Sequence, residues 1–287
     1  MRIAITGASG FIGSKLAITL SEMGIAVIKL SRKNGVDLNN YDNLNSIEKC
    51  DVIIHLAALN SVVESFNKPY YYFDVNYRLT LNALELARRW SAKFVFVSSY
   101  LYGEPKYLPI DEDHPISPHN PYAESKYLCE ELCRTYHRQF NVKSIILRPF
   151  NVYGPGQPSN LIISEILNKI ERNEKVIELM DKRPRRDYIH VEDIVRCIIQ
   201  AVFYDSKALE IFNLGTGQST SVEELVEIIQ KYSSKKIQVL FRNESRMSEV
   251  METVANTRKL FEEFRVSDFT PLEVGIKGML KAKCLLK

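Results

Sequence analysis

The chain has 287 residues, a net charge of +3 at pH 7, 45% hydrophobic residues and 25% charged residues. That length suits one large domain or two interlocked lobes with a sizeable core, and the balance is that of an ordinary globular protein. So small a charge, with no basic block, argues against a nucleic-acid partner, and no apolar run reaches the length of a membrane span.

The five cysteines are scattered, and although Cys129 and Cys133 lie four apart, no second pair completes a metal site. They are expected to be free thiols in a reducing cytoplasm, with no bound metal. The N-terminus runs straight into strand-like Arg2–Thr6, so no signal peptide is expected.

Arg2–Thr6 reads as a buried strand. It leads into Gly7-Ala8-Ser9-Gly10-Phe11-Ile12-Gly13 and an apolar-periodic helix to about Met23. Glycines spaced three apart between a strand and a helix suit a tight turn and close backbone approach to a pyrophosphate at the helix N-terminus. Ala26–Leu30 is the second strand, and its end chooses the cofactor. An acidic residue there would accept the ribose 2′-OH of NAD. The chain carries Ser31-Arg32-Lys33 instead, which suits a 2′-phosphate, so the sequence leans to NADP over NAD. Asp37 is the next acid and is expected near the adenine.

Asp51–His55 is a third strand, continuing into Leu56-Ala57-Ala58, whose small residues let backbone approach the cofactor. His55 is read as packed and hydrogen-bonded, not catalytic. A helix from about Lys68 to Trp90 carries Asn76 and Thr80 on one face, and Lys93–Ser98 is a fourth strand delivering Ser98 to the carboxyl end of the sheet. The segment to Pro121 reads as a loop, with Asp111, Glu112 and Asp113 a solvated turn. Tyr122 and Lys126 then share one face of a helix, where an ammonium near a phenol would lower its pKa and fit it for proton exchange. Another strand, Lys143–Leu147, ends at Arg148-Pro149-Phe150-Asn151. Strands alternating with helices imply a parallel, doubly wound (Rossmann) α/β sheet. It would span residues 1–155, be rejoined by about 187–214, and be followed over 156–287 by a smaller α/β substrate lobe. Arg186 and Arg246 are aimed at a substrate diphosphate, which the guanidinium fork matches.

Taken together these motifs resemble the extended short-chain dehydrogenase/reductase family of nucleotide-sugar enzymes. The likeness rests on Thr6-Gly7-x-x-Gly10-x-x-Gly13, His55-Leu56-Ala57-Ala58, Ser98 with Tyr102-Gly103, Tyr122-x-x-x-Lys126, Arg148-Pro149-x-Asn151-x-Tyr153-Gly154-Pro155, Arg186-Asp187-Tyr188-Ile189-His190-Val191-x-Asp193 and Asn213-Leu214-Gly215. It is nearest to the UDP-galactose 4-epimerase group. The resemblance implies Ser98, Tyr122 and Lys126 as catalytic residues. It implies substrate contacts at Ser98, Ser99, Tyr122, Asn151, Asn160, Leu161, Arg186 and Arg246. The cofactor, NADP or NAD, is expected at Gly7, Ser9, Gly10, Phe11, Ile12, Gly13, Ser31, Arg32, Asp37, Leu38, Leu56, Ala57, Ala58, Asn76, Tyr122, Lys126 and Phe150.

Sugar 4,6-dehydratases of the family carry an acidic pair before Tyr-Gly, whereas this chain has Ser98-Ser99-Tyr100, so dehydration is discounted. Epimerases of the group usually hold NAD, which sits against Ser31-Arg32. The chain is also short for an epimerase, with the segment before Arg185 trimmed. The expected activity is a 4-epimerase acting on a nucleotide-diphosphate sugar, first a UDP-sugar, through a 4-keto intermediate. The alternatives are an NADPH-dependent reductase of an NDP-4-keto-6-deoxy sugar and a non-catalytic NADP-binding protein. The resemblance further implies a cytoplasmic homodimer formed through the helices at 68–90 and 122–140.

Overall fold

Alternate residues of the central strands point to opposite faces, and both faces are buried. Ile3, Ile5, Ile54, Val95, Val97, Ile145 and Leu147 enter one core, while Ala4, Ile53, Phe94, Phe96 and Ile146 enter the other. That is the signature of a parallel sheet covered on both sides. The computed structural model describes residues 1–205, 208–242, 244, 249–266 and 268–287.

The chain begins β1 (Arg2–Thr6), α1 (Phe11–Glu22), β2 (Ala26–Leu30), β3 (Val52–His55), α2 (Val62–Asn67), α3 (Pro69–Trp90), β4 (Lys93–Val97), α4 (Pro121–Phe140) and β5 (Ser144–Pro149). It continues through β6 (Asn151–Tyr153), α5 (Ile162–Glu171), β7 (Val176–Leu179), β8 (Arg185–His190), α6 (Val191–Phe203) and β9 (Glu210–Leu214). The last elements are β10 (Ser219–Ser221), α7 (Val222–Tyr232), β11 (Gln238–Phe241), α8 (Arg258–Phe264) and α9 (Leu272–Ala282).

The main sheet has the order β2-β1-β3-β4-β5-β9, every pairing parallel. The fold is thus the doubly wound α/β class. The order reverses between β1 and β3, and ligands of such sheets bind at the carboxyl ends beside that point. α1 and α6 cover one face, and α3 and α4 the other. A second core, built on α5, α7 and α9, packs against a three-stranded sheet, β10-β8-β6. α6 and β9 pack into the first core, while β8 lies in the three-stranded sheet.

A short helix precedes the long one: Ser61 accepts the Glu64 N–H at 3.2 Å and starts α2, and Pro69 then begins α3. One local expectation needs correction: the acidic triplet is not wholly a solvated turn. Glu112 is partly buried, accepts the Asn213 backbone N–H at 2.7 Å, and burial raises its pKa. Among the described residues no helix is long and apolar enough to cross a membrane.

Candidate active site

The glycine turn is shaped by close approach. Gly7 has φ +68°, and a Cβ there would stand 2.9 Å from the Ala57 nitrogen; a Cβ on Gly13 would stand 2.2 Å from the Gly7 carbonyl oxygen. Gly10 caps α1 without a side-chain hydrogen bond, and no acidic residue occupies the first turn. The leading N–H groups and the positive dipole end are therefore left for an anion. Ser9 and Gly10 are exposed and Phe11 and Ile12 half-buried around that helix end. On the neighbouring strand, Leu56 and Ala57 both donate their N–H to Thr6 Oγ1 at 3.1 Å, leaving Leu56, Ala57 and Ala58 partly open beside Gly7. A turn packed this closely on the neighbouring strand end, with free N–H groups at the start of α1, fits a dinucleotide pyrophosphate.

At the end of β2, Ser31 turns inward and donates to Asn34 Oδ1 at 2.5 Å, so its hydroxyl is already spent. Arg32 and Lys33 stand exposed on a single helical turn. Asp37 is half-buried and accepts the Asn39 N–H at 3.0 Å. Two expected cofactor contacts lie deeper than the sequence implied. Leu38 is 3% exposed and packs in the core beside α3, with its carbonyl taken by Asn82. Asn76 is 1% exposed and spends its amide on the backbone of Leu59 and on Ser125.

α4 begins where Asn120 Oδ1 accepts the Ala123 N–H at 2.8 Å, with Pro121 in the first turn. That start places Tyr122 at the sheet edge, half-buried, with Lys126 one turn on and fully enclosed. Lys126 Nζ donates to the Val97 carbonyl at 2.8 Å and lies 4.2 Å from the centre of the Phe96 ring. It reaches the strand end that carries Ser98. The Ser98 hydroxyl is buried and without a hydrogen-bond partner among the described residues, while the Ser99 side chain acts on the Tyr122 phenol. Phe150 closes the same corner, its ring 5.3 Å from that of Tyr100. The expected electrostatics change in one respect. Burial raises the Tyr122 pKa, with Ser99 pulling the other way, and burial lowers that of Lys126. The ammonium is directed at a carbonyl, so the protein's own groups do not make a phenolate.

Asn151 sits in register with Tyr188 on the adjoining strand and donates to the Asp187 carbonyl. Asn160 and Leu161 are exposed just before α5, where Leu161 is the cap residue. Arg186 on β8 donates to Glu249 Oε1 at 2.5 Å and to the Arg185 carbonyl at 2.9 Å. Arg246 lies outside the described residues. Sequence reading missed Glu249, because nothing local links it to an arginine 63 positions away. It also passed over Asp187 as a motif letter. This fully buried carboxylate accepts from Thr216 N and Oγ1 at 2.8 and 2.7 Å, from Gly217 N at 3.0 Å and from Ala255 N at 3.1 Å. It binds the turn after β9 to the segment after Glu249.

Residues 3–215 match the model of the NAD dependent epimerase/dehydratase family. The chain is 37% identical over 253 residues to a putative UDP-glucose 4-epimerase of Methanocaldococcus jannaschii, covering 79% of this chain and 81% of that protein. In structure it is similar to a UDP-glucuronic acid 4-epimerase of Bacillus cereus in complex with NAD, with TM-score 0.91, 26% identity and 99% of each chain covered. It is likewise similar to RMD of Pseudomonas aeruginosa complexed with NADPH, with TM-score 0.89, 26% identity and 98% of each chain covered. With the glycine cradle at the switch point and Ser98, Tyr122 and Lys126 gathered at the carboxyl edge of the sheet, this chain is an enzyme that belongs to the NAD-dependent epimerase/dehydratase family.

Proposed function

We propose that the protein is a nucleotide-sugar 4-epimerase, with a UDP-sugar as substrate. The observation that carries this reading is the meeting of Tyr122, Lys126 and the Ser98–Ser99 strand end, in a chain whose relatives include 4-epimerases. The residues at 98–100 offer no carboxylate for eliminating water.

The dinucleotide, when bound, supplies the redox chemistry: hydride acceptance from the sugar carbon C4 and its return to the opposite face. Gly7, Gly10, Gly13 and the first turn of α1 would hold its pyrophosphate, and Leu56–Ala58 its flank. Tyr122 exchanges the proton of the C4 oxygen, and the buried hydroxyl of Ser98 hydrogen-bonds that same oxygen. Lys126 supplies positive charge one turn below the phenol. Asn151, Asn160, Leu161 and Arg186 take the nucleotide diphosphate, with Arg246 as their expected partner.

The reading includes a homodimer formed through α3 and α4. Tyr70, Tyr71 and Tyr77 on α3, and Leu128 and Phe140 on α4, are exposed large hydrophobics that such a contact would cover. It also includes a cytoplasmic location, which suits five free thiols.

A second reading is supported by Arg32 and Lys33, exposed at the end of β2 where an NAD enzyme carries an acid. It is an NADPH-dependent reductase of an NDP-4-keto-6-deoxy sugar, using the same three residues once per turnover.

The deciding experiment starts from the purified protein as isolated. It is denatured and the released nucleotide identified; native protein then receives UDP-glucose or UDP-N-acetylglucosamine without added cofactor. Retained dinucleotide with 4-epimer formation is expected. No epimer, with NADPH consumed only alongside a 4-keto sugar nucleotide, assigns the reductase instead.

A further inference from the structure

His55 is fully buried, and every hydrogen bond around it has one possible direction. Thr6 Oγ1 already accepts two backbone N–H groups, from Leu56 and Ala57. Its own proton therefore goes to His55 Nδ1, 2.8 Å away. With Nδ1 accepting, the neutral ring carries its proton on Nε2, 3.1 Å from Thr80 Oγ1. Thr80 in turn donates to the Asn76 carbonyl at 2.8 Å. The Asn76 side chain then accepts the Leu59 N–H at 2.7 Å and donates to the Leu59 carbonyl at 3.1 Å and to Ser125 Oγ at 2.9 Å. Ser125 donates to the Tyr122 carbonyl at 2.7 Å.

The chain of bonds thus starts at the backbone beside Gly7 and ends on the helix turn that holds Tyr122. The imidazole also stacks on Phe96 with ring centres 5.8 Å apart, and Phe96 is the shelf over which Lys126 lies. A charged imidazole has no place here: Thr6 has no free lone pair for a second ring N–H, and Lys126 is the nearby cation.

We propose that His55 is a positioning residue: as a neutral Nε2–H imidazole it fixes the backbone at 56–59 and, through Thr80 and Asn76, the spacing between that backbone and the helix carrying Tyr122 and Lys126. The inference rests on the reading above that this edge receives a dinucleotide. An ordinary core histidine would contribute stability alone.

The test titrates NADPH and NADH into the parent protein and into His55→Leu, His55→Gln and Thr80→Val, each well below its melting temperature. The Gln side chain carries an acceptor oxygen and an NH2 donor, so it can offer Thr6 an acceptor and Thr80 a donor, whereas Leu offers neither. The expected result is binding weakened at least about tenfold in His55→Leu, the size of one lost buried hydrogen bond, and restored to within about threefold in His55→Gln. Thr80→Val keeps the imidazole and removes its acceptor, so it is expected to bind more weakly than the parent, and it carries the test if His55→Leu does not fold. Leu and Gln variants that bind alike, or a Thr80→Val protein that binds as the parent does, would overturn the proposal. Side-chain nitrogen NMR gives a second readout, expected to show a bare Nδ1 and a protonated Nε2 that do not titrate between about pH 5 and 9. A titrating ring or an Nδ1–H overturns it. A parent that binds neither dinucleotide overturns the cofactor reading and this one together; a parent that binds, with a flat variant series, overturns this one alone.

Discussion

The Arg148 guanidinium grips both oxygens of Glu130, Nε at 2.9 Å and Nη2 at 2.7 Å, with side chains 1% and 0% exposed. Its third nitrogen, Nη1, donates to the Tyr102 hydroxyl at 2.8 Å, which passes its proton to Asn213 Oδ1 at 2.6 Å. With Tyr102, the pair ties α4, which carries Tyr122 and Lys126, to β5 and β9. Removing one partner would strand a buried charge, whereas removing both would not. Arg148→Met or Glu130→Leu is therefore expected to lower stability by about 3–5 kcal/mol, and the double variant by less than the sum. Urea denaturation measures this, and single losses below about 1 kcal/mol would contradict it.

Burial holds the Tyr122 phenol above its ordinary pKa, and Ser99 partly offsets that. A phenol acts as a base only once deprotonated, so a raised pKa moves its titration to higher pH. The ultraviolet difference between parent and Tyr122→Phe should show phenolate appearing only above about pH 10, the ordinary tyrosine value. Ser99→Ala should move it further up. A phenolate signal at neutral pH in the protein alone would show that Lys126 controls the phenol after all. Turnover of Tyr122→Phe should fall by about 10²–10⁴-fold.

Arg32 stands exposed at the end of β2, and no ion pair engages it among the described residues. Arg32→Ala is expected to weaken NADP binding about tenfold or more while leaving NAD within about twofold, since a charge-assisted hydrogen bond to the 2′-phosphate contributes roughly 1.5–3 kcal/mol. Calorimetric titration of both nucleotides decides it. Equal losses for both would remove the basis for an NADP preference.

The pKa of His55 is pushed well below that of a free imidazole, first by burial and then by Lys126. Below about pH 6.5 the unfolded chain takes up a proton that the folded chain refuses. Stability therefore falls as pH drops from about 7 to 5, with a slope approaching about 1.4 kcal/mol per pH unit from this one group. His55→Gln should flatten that slope. Parallel stability curves for the parent and the variant between pH 7 and 5 would show that the ring is not held neutral.

What could be read from the sequence was what local spacing determines. The turn from Gly7 to Gly13 lies between contiguous elements, and Tyr122 and Lys126 are neighbours on one helix by geometry alone. The direction taken by the Lys126 ammonium was not legible, since its acceptor is a carbonyl 29 positions earlier in the chain. Composition misled at Glu112: three acids in a row look solvated, yet one of them meets a backbone N–H 101 positions later. The engagement of Arg186 by Glu249 has the same origin, a partner brought in by the return of the chain after β11.

β5 gains its outer neighbour, β9, only after the whole of residues 150–209 has been made. At about 5–20 residues per second, the growing chain waits several seconds on the ribosome with Ile145, Ile146 and Leu147 on an unpaired strand edge. During synthesis, then, the seam that the finished molecule hides is an open strand edge able to pair with other chains, and a chaperone that covers it would act before β9 emerges.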